Sequence, residues 1–161
     1  MRIGILQQPT IVRLFEEDTG KRVEWFDETI RHPKIPFAIG TPDGFVGRGS
    51  PSDIPQPESS VMVNPNGSLE LQPEVVAGFE AKTAGLDQAW RWGEEQDSVP
   101  EEYLIQCQWY MLITGRLEWV LGALIGGDRF KIHHLQADEE LQAMLLEEAE
   151  KFWTQHIVKG I

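Results

Sequence analysis

The segment VVAGFEAKTA, at residues 75–84, places two charged side chains inside an otherwise apolar run of the kind that forms strands. Its charged residues are Glu80 and Lys82, which a single alanine separates. Side chains two positions apart on a strand point to the same face of the sheet. The segment is therefore predicted to be a central strand that presents a carboxylate and an ammonium group to one pocket.

A second carboxylate, Asp43, stands before Gly44 in a predicted Pro-Asp-Gly turn. Two carboxylates suit a hard divalent cation that retains most of its water, and the Ala81 carbonyl offers a further oxygen. Such a cation generates a nucleophile from water and stabilises charge on a phosphoryl oxygen. Asp43, Glu80 and Lys82 are thus the groups that a divalent-metal nuclease needs, although this spacing is common by chance.

The charge of the chain limits how it could bind nucleic acid. Its 161 residues suffice for one domain with a substantial core, and the formal net charge is −12. This charge counts against a protein that grips DNA over a broad surface, because phosphate contacts normally come from Lys and Arg. It does not exclude a nuclease, since bound metal ions add local positive charge and 14 basic residues can gather on one face.

Cysteine usage and hydropathy exclude several classes of protein. Cys107 is the single cysteine, which excludes an intramolecular disulfide and a four-cysteine metal site from this chain alone, and it is predicted to be buried. The longest apolar run, at 119–125, is too short to span a bilayer. No signal-peptide pattern is present, so a cytoplasmic protein without membrane contact is expected.

Hydrophobic periodicity and turn residues divide the chain into helices and strands. Helices are predicted at 5–18, 101–115 and 137–158, and strands at 21–32, 36–47, 73–84, 117–127 and 129–136. Residues 48–74 are predicted to be a flexible loop insertion, because they are rich in Ser, Pro and Asn. The order α-β-β-β-α-β-β-α predicts one α/β domain over 1–161, with a mixed central β-sheet flanked by helices.

Two further predictions concern helix faces. The apolar residues of the last helix are expected to form one buried face, at Leu141, Met144, Leu145, Ala149, Phe152 and Trp153. Gln108, in the preceding helix, is expected to lie on the surface or in a DNA groove.

Several segments, in this order, resemble one nuclease family. They are QP-x-I and LFEEDTG near the start, GTPDGFV around Asp43, FEAKT around Glu80, VPEEYLIQCQWYMLITG with its Tyr-x-x-Gln-x-Gln pattern, and FW near the end. Together they resemble the PD-(D/E)XK nuclease superfamily, and more closely the phage lambda-type exonucleases grouped as YqaJ-like viral recombinases. The resemblance covers nearly the whole chain and implies a restriction-endonuclease-like fold.

The resemblance also implies an activity and partners. It implies Mg²⁺- or Mn²⁺-dependent hydrolysis of DNA phosphodiester bonds, commonly 5′-to-3′ exonuclease action on double-stranded DNA ends. In relatives of this type, resection of DNA ends provides the DNA strand on which a partner single-strand annealing protein acts during recombination, and the relatives often form homo-oligomeric rings around DNA. In a phage-encoded member the compartment is the host cytoplasm.

Site residues follow from the resemblance position by position. Asp43, Glu80 and the Ala81 backbone carbonyl are expected to be metal ligands. Lys82 is expected to orient or deprotonate the attacking water, or to stabilise the pentacovalent phosphate. Gln106 is expected to position a phosphate or Lys82. Tyr103 and Tyr110 share its helix face and either contact substrate or simply pack.

The chain departs from the family pattern in its first helix. Gln8 stands where relatives usually carry a glutamate, and an amide oxygen lacks the charge that a hard cation favours. Gln8 as a metal ligand would thus imply weaker binding at one metal site. The alternatives are a DNA-end-binding or recombination accessory module with weakened cleavage, or an endonuclease of the same superfamily. The N-terminal segment of relatives, which binds the 5′-phosphate, is expected to be absent.

Further candidates for contact with DNA lie outside these motifs. Trp90 and Arg91 could stack on unpaired bases, or a tryptophan of this segment could act as a lid that closes the core. Arg116, Arg129 and Lys131 are candidate phosphate contacts.

Overall fold

A computed structural model of the chain describes residues 2–48, 61–95 and 98–159. Within these ranges the α-helices are α1 (Arg2–Thr19), α2 (Glu101–Thr114) and α3 (Glu139–Phe152). The strands are β1 (Val23–Trp25), β2 (Ile30–Arg31), β3 (Ile39–Gly40), β4 (Gly44–Gly47), β5 (Val61–Val63), β6 (Leu69–Leu71), β7 (Val75–Ala84), β8 (Glu118–Ile125) and β9 (Arg129–Gln136). A 3₁₀ helix (Leu86–Arg91) follows β7, and a π-helical segment (Trp153–Val158) extends α3.

The main sheet has five strands in the order β1-β4-β7-β8-β9. β7 runs parallel to β8, and the other neighbouring strands are antiparallel. The parallel pair needs a crossover, which α2 provides between β7 and β8. The predicted mixed α/β domain with a central sheet and flanking helices is confirmed.

Both faces of β7 are buried, one against α1 and the other against α2. Ala77, Phe79 and Ala81 pack in one cluster with Ile11 and Phe15 of α1. The opposite face of the sheet packs in a second cluster with α2. Because side chains alternate along a strand, Glu80 and Lys82 fall on the α2 face.

Two predicted strands are interrupted. The segment 21–32 divides into β1 and β2, and the segment 36–47 divides into β3 and β4. β2 and β3 leave the main sheet and pair with each other, through Ile30 with Gly40 and Arg31 with Ile39. The buried Ile30 turns into the α2-side cluster, which strand periodicity alone does not reveal.

Part of the predicted loop at 48–74 has regular structure. β5 and β6 form an antiparallel hairpin, in which Val61 pairs with Leu71. Val61 is buried, and Val63, Leu69 and Leu71 pack against the same α2-side cluster. These apolar residues explain why the segment folds despite its polar surroundings. Residues 49–60 of the predicted loop lie outside the described residues, and the predicted flexibility stays a prediction.

The prediction of a buried face on the last helix is wrong. No residue of α3 is buried, and Met144 and Phe152 are each 59% exposed. The reason is that α3 packs beside α2, where Leu145 and Ala149 line a shallow groove, and does not cover the sheet. Trp153 stacks on Phe37, with ring centroids 5.8 Å apart.

The prediction for Gln108 is also wrong. Its side chain is buried and joins α2 to the β9–α3 connection. Gln108 Nε2 donates to the Gln136 carbonyl at 2.7 Å, and Gln108 Oε1 accepts from the Asp138 amide at 2.9 Å and from Gln142 Nε2 at 3.0 Å. In the part of the chain that the structure describes, no helix is long and apolar enough to cross a bilayer.

Candidate active site

Glu80 and Lys82 form an ion pair on the α2 face of β7. Lys82 Nζ donates to Glu80 Oε1 at 2.6 Å. Glu80 is only 2% exposed, and such a charge needs a partner, because removing an isolated carboxylate from water is costly. Lys82 therefore supplies the countercharge that allows a carboxylate in this position.

Asp43 is attached to the same strand through a backbone hydrogen bond. Its Oδ2 accepts from the Ala81 amide at 2.9 Å, between Glu80 and Lys82. The Asp43 carbonyl accepts from Phe26 N at 3.0 Å. A Cβ at Gly44 would lie 2.7 Å from the Glu24 carbonyl oxygen, so glycine is needed for this close approach of the chain. The Asp-Gly turn thus places the second carboxylate beside the first.

Gln8 brings α1 into contact with the site. Its Nε2 donates to Asp43 Oδ1 at 3.0 Å, so its amide nitrogen faces the carboxylate. Both oxygens of Asp43 therefore accept a hydrogen bond, one from Gln8 and one from Ala81. Gln8 holds the orientation of Asp43, and its role as a metal ligand stays a prediction.

Gln106 and Tyr110 reach the site from one face of α2. Gln106 Nε2 donates two hydrogen bonds, to Glu80 Oε1 and to the Tyr110 hydroxyl oxygen, each at 2.9 Å. The Tyr110 hydroxyl donates to the Thr41 carbonyl at 3.0 Å. This chain of hydrogen bonds ties Glu80 to α2 and to the segment just before Asp43. Tyr110 is therefore held in place by these two hydrogen bonds and in turn helps to orient Gln106.

Burial and charge shift the pKa values of these groups. Burial raises the pKa of Glu80 to about 7, and the Lys82 ammonium opposes this rise. Burial also raises the pKa of Asp43, against the Ala81 amide and the charge of Lys82. Burial would lower the pKa of Lys82, but its ion pair with Glu80 and the charge of Asp43 raise it overall. Two carboxylates that resist ionisation make a site that favours an added positive charge.

The available oxygen atoms suit a hydrated divalent cation. Glu80 Oε2 is buried and accepts no hydrogen bond from any described residue. The N–H and C=O of one strand residue point to the same side, so the Ala81 carbonyl is directed toward the Asp43 side. The described residues contain no group of three or more His, Cys, Asp or Glu side chains placed to hold a metal ion together. Mg²⁺ needs only one or two carboxylates when it keeps its water, so this donor set fits.

The predicted substrate-contacting residues differ in their surroundings. Tyr103 is covered on one side by Lys82, whose Nζ lies 5.1 Å from the ring centroid. Trp90 is 81% exposed and free to stack on a base. Arg91 is held by Glu102, with Nη1–Oε1 and Nη2–Oε2 distances of 2.7 and 2.5 Å. Trp92, at 4% exposure, is the tryptophan of this segment that closes the core.

Of the other predicted residues, Cys107, Arg116 and Lys131 are engaged within the fold, and Arg129 is exposed. Cys107 is buried, as predicted, and burial raises the pKa of its thiol well above its usual value, which disfavours the reactive thiolate. Arg116 Nη1 donates to the Val75 carbonyl at 3.0 Å. Lys131 donates to backbone carbonyls of the segment after the 3₁₀ helix. Sequence spacing did not indicate the partners of Arg116 and Lys131, because both contacts join residues about 40 positions apart.

Solved structures share this fold. An alkaline exonuclease (LHK-Exo) from Laribacter hongkongensis superposes with a TM-score of 0.68 at 17% identity, over 99% of this chain and 69% of that one. The complex of LHK-Exo with dAMP gives a TM-score of 0.66 at 18% identity, with the same coverage of both chains. At these identities the likeness concerns the fold.

Sequence comparison identifies the family. The uncharacterized protein YqaJ of Bacillus subtilis (strain 168) is 23% identical over 159 residues, which cover 98% of this chain. The match spans 41% of the length of that relative. The model of the YqaJ-like viral recombinase domain matches residues 1–117, and this chain belongs to that family.

Proposed function

We propose that this protein is a divalent-metal-dependent deoxyribonuclease, and that it acts as a 5′-to-3′ exonuclease on double-stranded DNA ends. The observation that carries the proposal is the hydrogen bond from the Ala81 amide to Asp43 Oδ2, which joins both carboxylates and Lys82 in one site. The fold shared with an alkaline exonuclease supports it, and a dAMP complex of that protein supports a nucleotide substrate.

Each residue of the site has a distinct part in this chemistry. Asp43 and Glu80 would hold Mg²⁺ or Mn²⁺, with Glu80 Oε2 as the available oxygen and the Ala81 carbonyl assisting. When bound, the cation supplies Lewis acidity at the scissile phosphate and lowers the pKa of water. The hydrogen bond from Gln106 to Oε1 restricts rotation of the Glu80 carboxylate. The ion pair with Glu80 keeps Lys82 as an ammonium, which favours stabilisation of the charged phosphate over proton abstraction.

An assay of the wild type and of a Lys82 variant on end-labelled duplex DNA tests this activity. Linear duplex DNA labelled at either the 5′ or the 3′ end is incubated with Mg²⁺, with Mn²⁺ or with EDTA. We expect metal-dependent release of nucleotides from the 5′ end, and Lys82→Met should reduce the rate by about 100-fold or more. Lys21→Met is the matched control, because Lys21 is exposed. Wild-type rates in Lys82→Met, or cleavage that persists in EDTA, would contradict the proposal.

A second candidate is a DNA-end-binding or recombination accessory module with weakened cleavage. The Gln8 amide donates a hydrogen bond to Asp43, whereas a glutamate at this position would add a negative charge that attracts a cation. This contact favours the accessory module. If it is correct, wild type binds DNA ends without appreciable cleavage, and Gln8→Glu gains cleavage. Gln7→Glu adds the same charge next to this position and should gain nothing. Strong wild-type cleavage would eliminate the accessory module.

The mode of attack and the partners belong to the same proposal. A covalently closed circular plasmid offers no end, so its cleavage would indicate an endonuclease of the same superfamily. We further propose a single-strand annealing protein as partner, a ring-forming homo-oligomer and a cytoplasmic location. Light scattering of the purified protein measures its oligomeric state, and a strict monomer would contradict the ring.

A further inference from the structure

Lys131 is bound to the protein through all the donors of its ammonium group. Lys131 Nζ donates to the carbonyls of Trp92 at 3.1 Å and Gly93 at 3.0 Å, and to Glu94 Oε1 at 2.7 Å. A lysine has three N–H donors, so none remains for a phosphate. Its structural effect is to fix the backbone at residues 92 and 93.

Fixing this backbone fixes the ring of Trp92. The indole is 4% exposed and packs on Tyr103, with ring centroids 5.5 Å apart and planes at 30°. It also packs on His133 of β9, with centroids 5.8 Å apart. His133 Nδ1 lies 3.2 Å from the Glu95 carbonyl, so β9 holds this segment at a second point. Trp92 is therefore held between β9 and α2.

Tyr103 contacts both Trp92 and Lys82, so the position of Trp92 affects the position of Lys82. Lys82 Nζ lies over the Tyr103 ring at 5.1 Å from its centroid, a cation–π distance, while it donates to Glu80 on another side. The sheet register agrees with this path. Lys82 pairs with Ala123 and Ala123 pairs with Lys131, so the two lysines share a row and a face of the sheet.

We infer that Lys131 is a positioning residue for Lys82, acting through Trp92 and the Tyr103 ring. Lys131 itself donates to oxygen atoms of the protein, at Trp92, Gly93 and Glu94. It keeps an aromatic surface in place, and that surface limits where the Lys82 ammonium can lie. Tyr103 accordingly serves Lys82 and not the substrate. The inference rests on the proposed function only in its effect on turnover, because the placement of Lys82 can be measured without DNA.

NMR measures that placement directly. The ε-methylene protons of a lysine over an aromatic ring are shielded by the ring current, and the chain has six lysines to assign with ¹³C-labelled lysine. In the wild type we expect the Lys82 signal upfield of the other lysines. It should move to the ordinary lysine position in Lys131→Met and in Tyr103→Leu. It should stay in place in Lys131→Arg, whose guanidinium can still donate to the carbonyls.

Glu94→Gln is the matched control. The Glu94 carboxylate is 92% exposed, so its loss leaves both backbone contacts of Lys131 intact, and the Lys82 signal should not move. Thermal unfolding of each variant verifies that the fold persists. A folded Lys131→Met protein with an unchanged Lys82 signal would overturn the inference.

Turnover provides the second measurement. On a linear duplex, Lys131→Met should lower kcat by about five-fold, the factor expected for loss of one cation–π contact, with KM unchanged. Lys131→Arg should restore kcat. A rise in KM alone would identify Lys131 as a DNA contact and overturn the inference. If wild type cleaves no DNA, the nuclease proposal fails while the NMR result still decides the role of Lys131.

Discussion

Gly78 lies in a closely packed part of β7. It stands two positions before Glu80, and a Cβ built there would lie 2.2 Å from the ring of Trp119. Trp119 is completely buried and also contacts the rings of Phe45 and Tyr110, so it has no free space into which to move. Glycine at this position is thus required by packing and not by backbone conformation.

We predict that Gly78→Ala destabilises the protein by about 1–3 kcal/mol, the cost of overpacking a filled core. Gly47→Ala is the matched control in the neighbouring strand, because its Cβ would have no neighbour nearer than 4.0 Å. Chemical denaturation followed by circular dichroism measures both free energies of unfolding. Equal stability of the two variants would contradict the packing argument.

Residues related by short sequence spacings could be predicted from periodicity, and Asp43 could be predicted from the family resemblance, but Lys131, which acts through a distant contact, could not be predicted. The face shared by Glu80 and Lys82 follows from the alternation of a strand, and the approach of Gln106 and Tyr110 follows from helix periodicity. Lys131 had no such signal. Its contact with the Trp92 carbonyl depends on how β9 is placed in the sheet.

Among the helices and strands, α2 is the element that connects the candidate site to the β9–α3 connection. One of its faces carries Gln106 and Tyr110 toward Glu80, and the buried Gln108 joins it to the β9–α3 connection. The sequence predicts a surface or DNA-groove residue at position 108, because Gln108 lies off the helix face that Gln106 shares with Tyr103 and Tyr110. The hydrogen bonds to Gln136 and Asp138 explain how a buried amide is tolerated.

We predict that Gln108→Met lowers the free energy of unfolding by about 1–3 kcal/mol, since it leaves the Gln136 carbonyl and the Asp138 amide without their partner. Gln142→Met removes only one contact to Gln108, at a half-buried position, and should cost less. Hydrogen exchange should show loss of amide protection in α3 in the first variant. Unchanged protection in α3 would contradict the linking role of Gln108.

Elements with strong periodicity were predictable, and elements shaped by tertiary contacts were not. β7 and α2 lie within about two residues of their predicted bounds. The hairpin of β5 and β6 was missed, because its apolar residues are too few to stand out from the polar segment around them. The apolar residues of α3 correctly indicated a helix, but periodicity alone does not state whether a neighbour covers its face.

The net charge of the whole molecule bears on how it would bind DNA, its proposed substrate. With 26 acidic and 14 basic residues, the protein carries a net negative charge that opposes the approach of DNA. Arg91, Arg116 and Lys131 are engaged with protein groups, which further reduces the cations available for phosphates. A divalent cation at Asp43 and Glu80 would then supply a large share of the attraction.

We predict that binding of duplex DNA depends on the divalent cation and only weakly on monovalent salt. In the Lys82→Met variant, which removes the proposed catalytic lysine and so limits cleavage, fluorescence anisotropy should show tighter binding with Mg²⁺ than with EDTA. The slope of log K against log[KCl] should correspond to fewer than about five phosphate contacts. A steep slope that EDTA does not change would instead reveal a basic binding face.

The parallel pairing of β7 with β8 has a consequence for the synthesis of the protein. The candidate catalytic side chains, from Gln8 to Tyr110, all precede β8, yet β7 lies between β4 and β8 in the sheet. When residues 1–117 have been synthesised, the candidate catalytic side chains are all present, but β8, which pairs with β7, is not. If the protein is the nuclease proposed above, the nascent chain therefore cannot cleave DNA before β8 has been synthesised and has paired with β7.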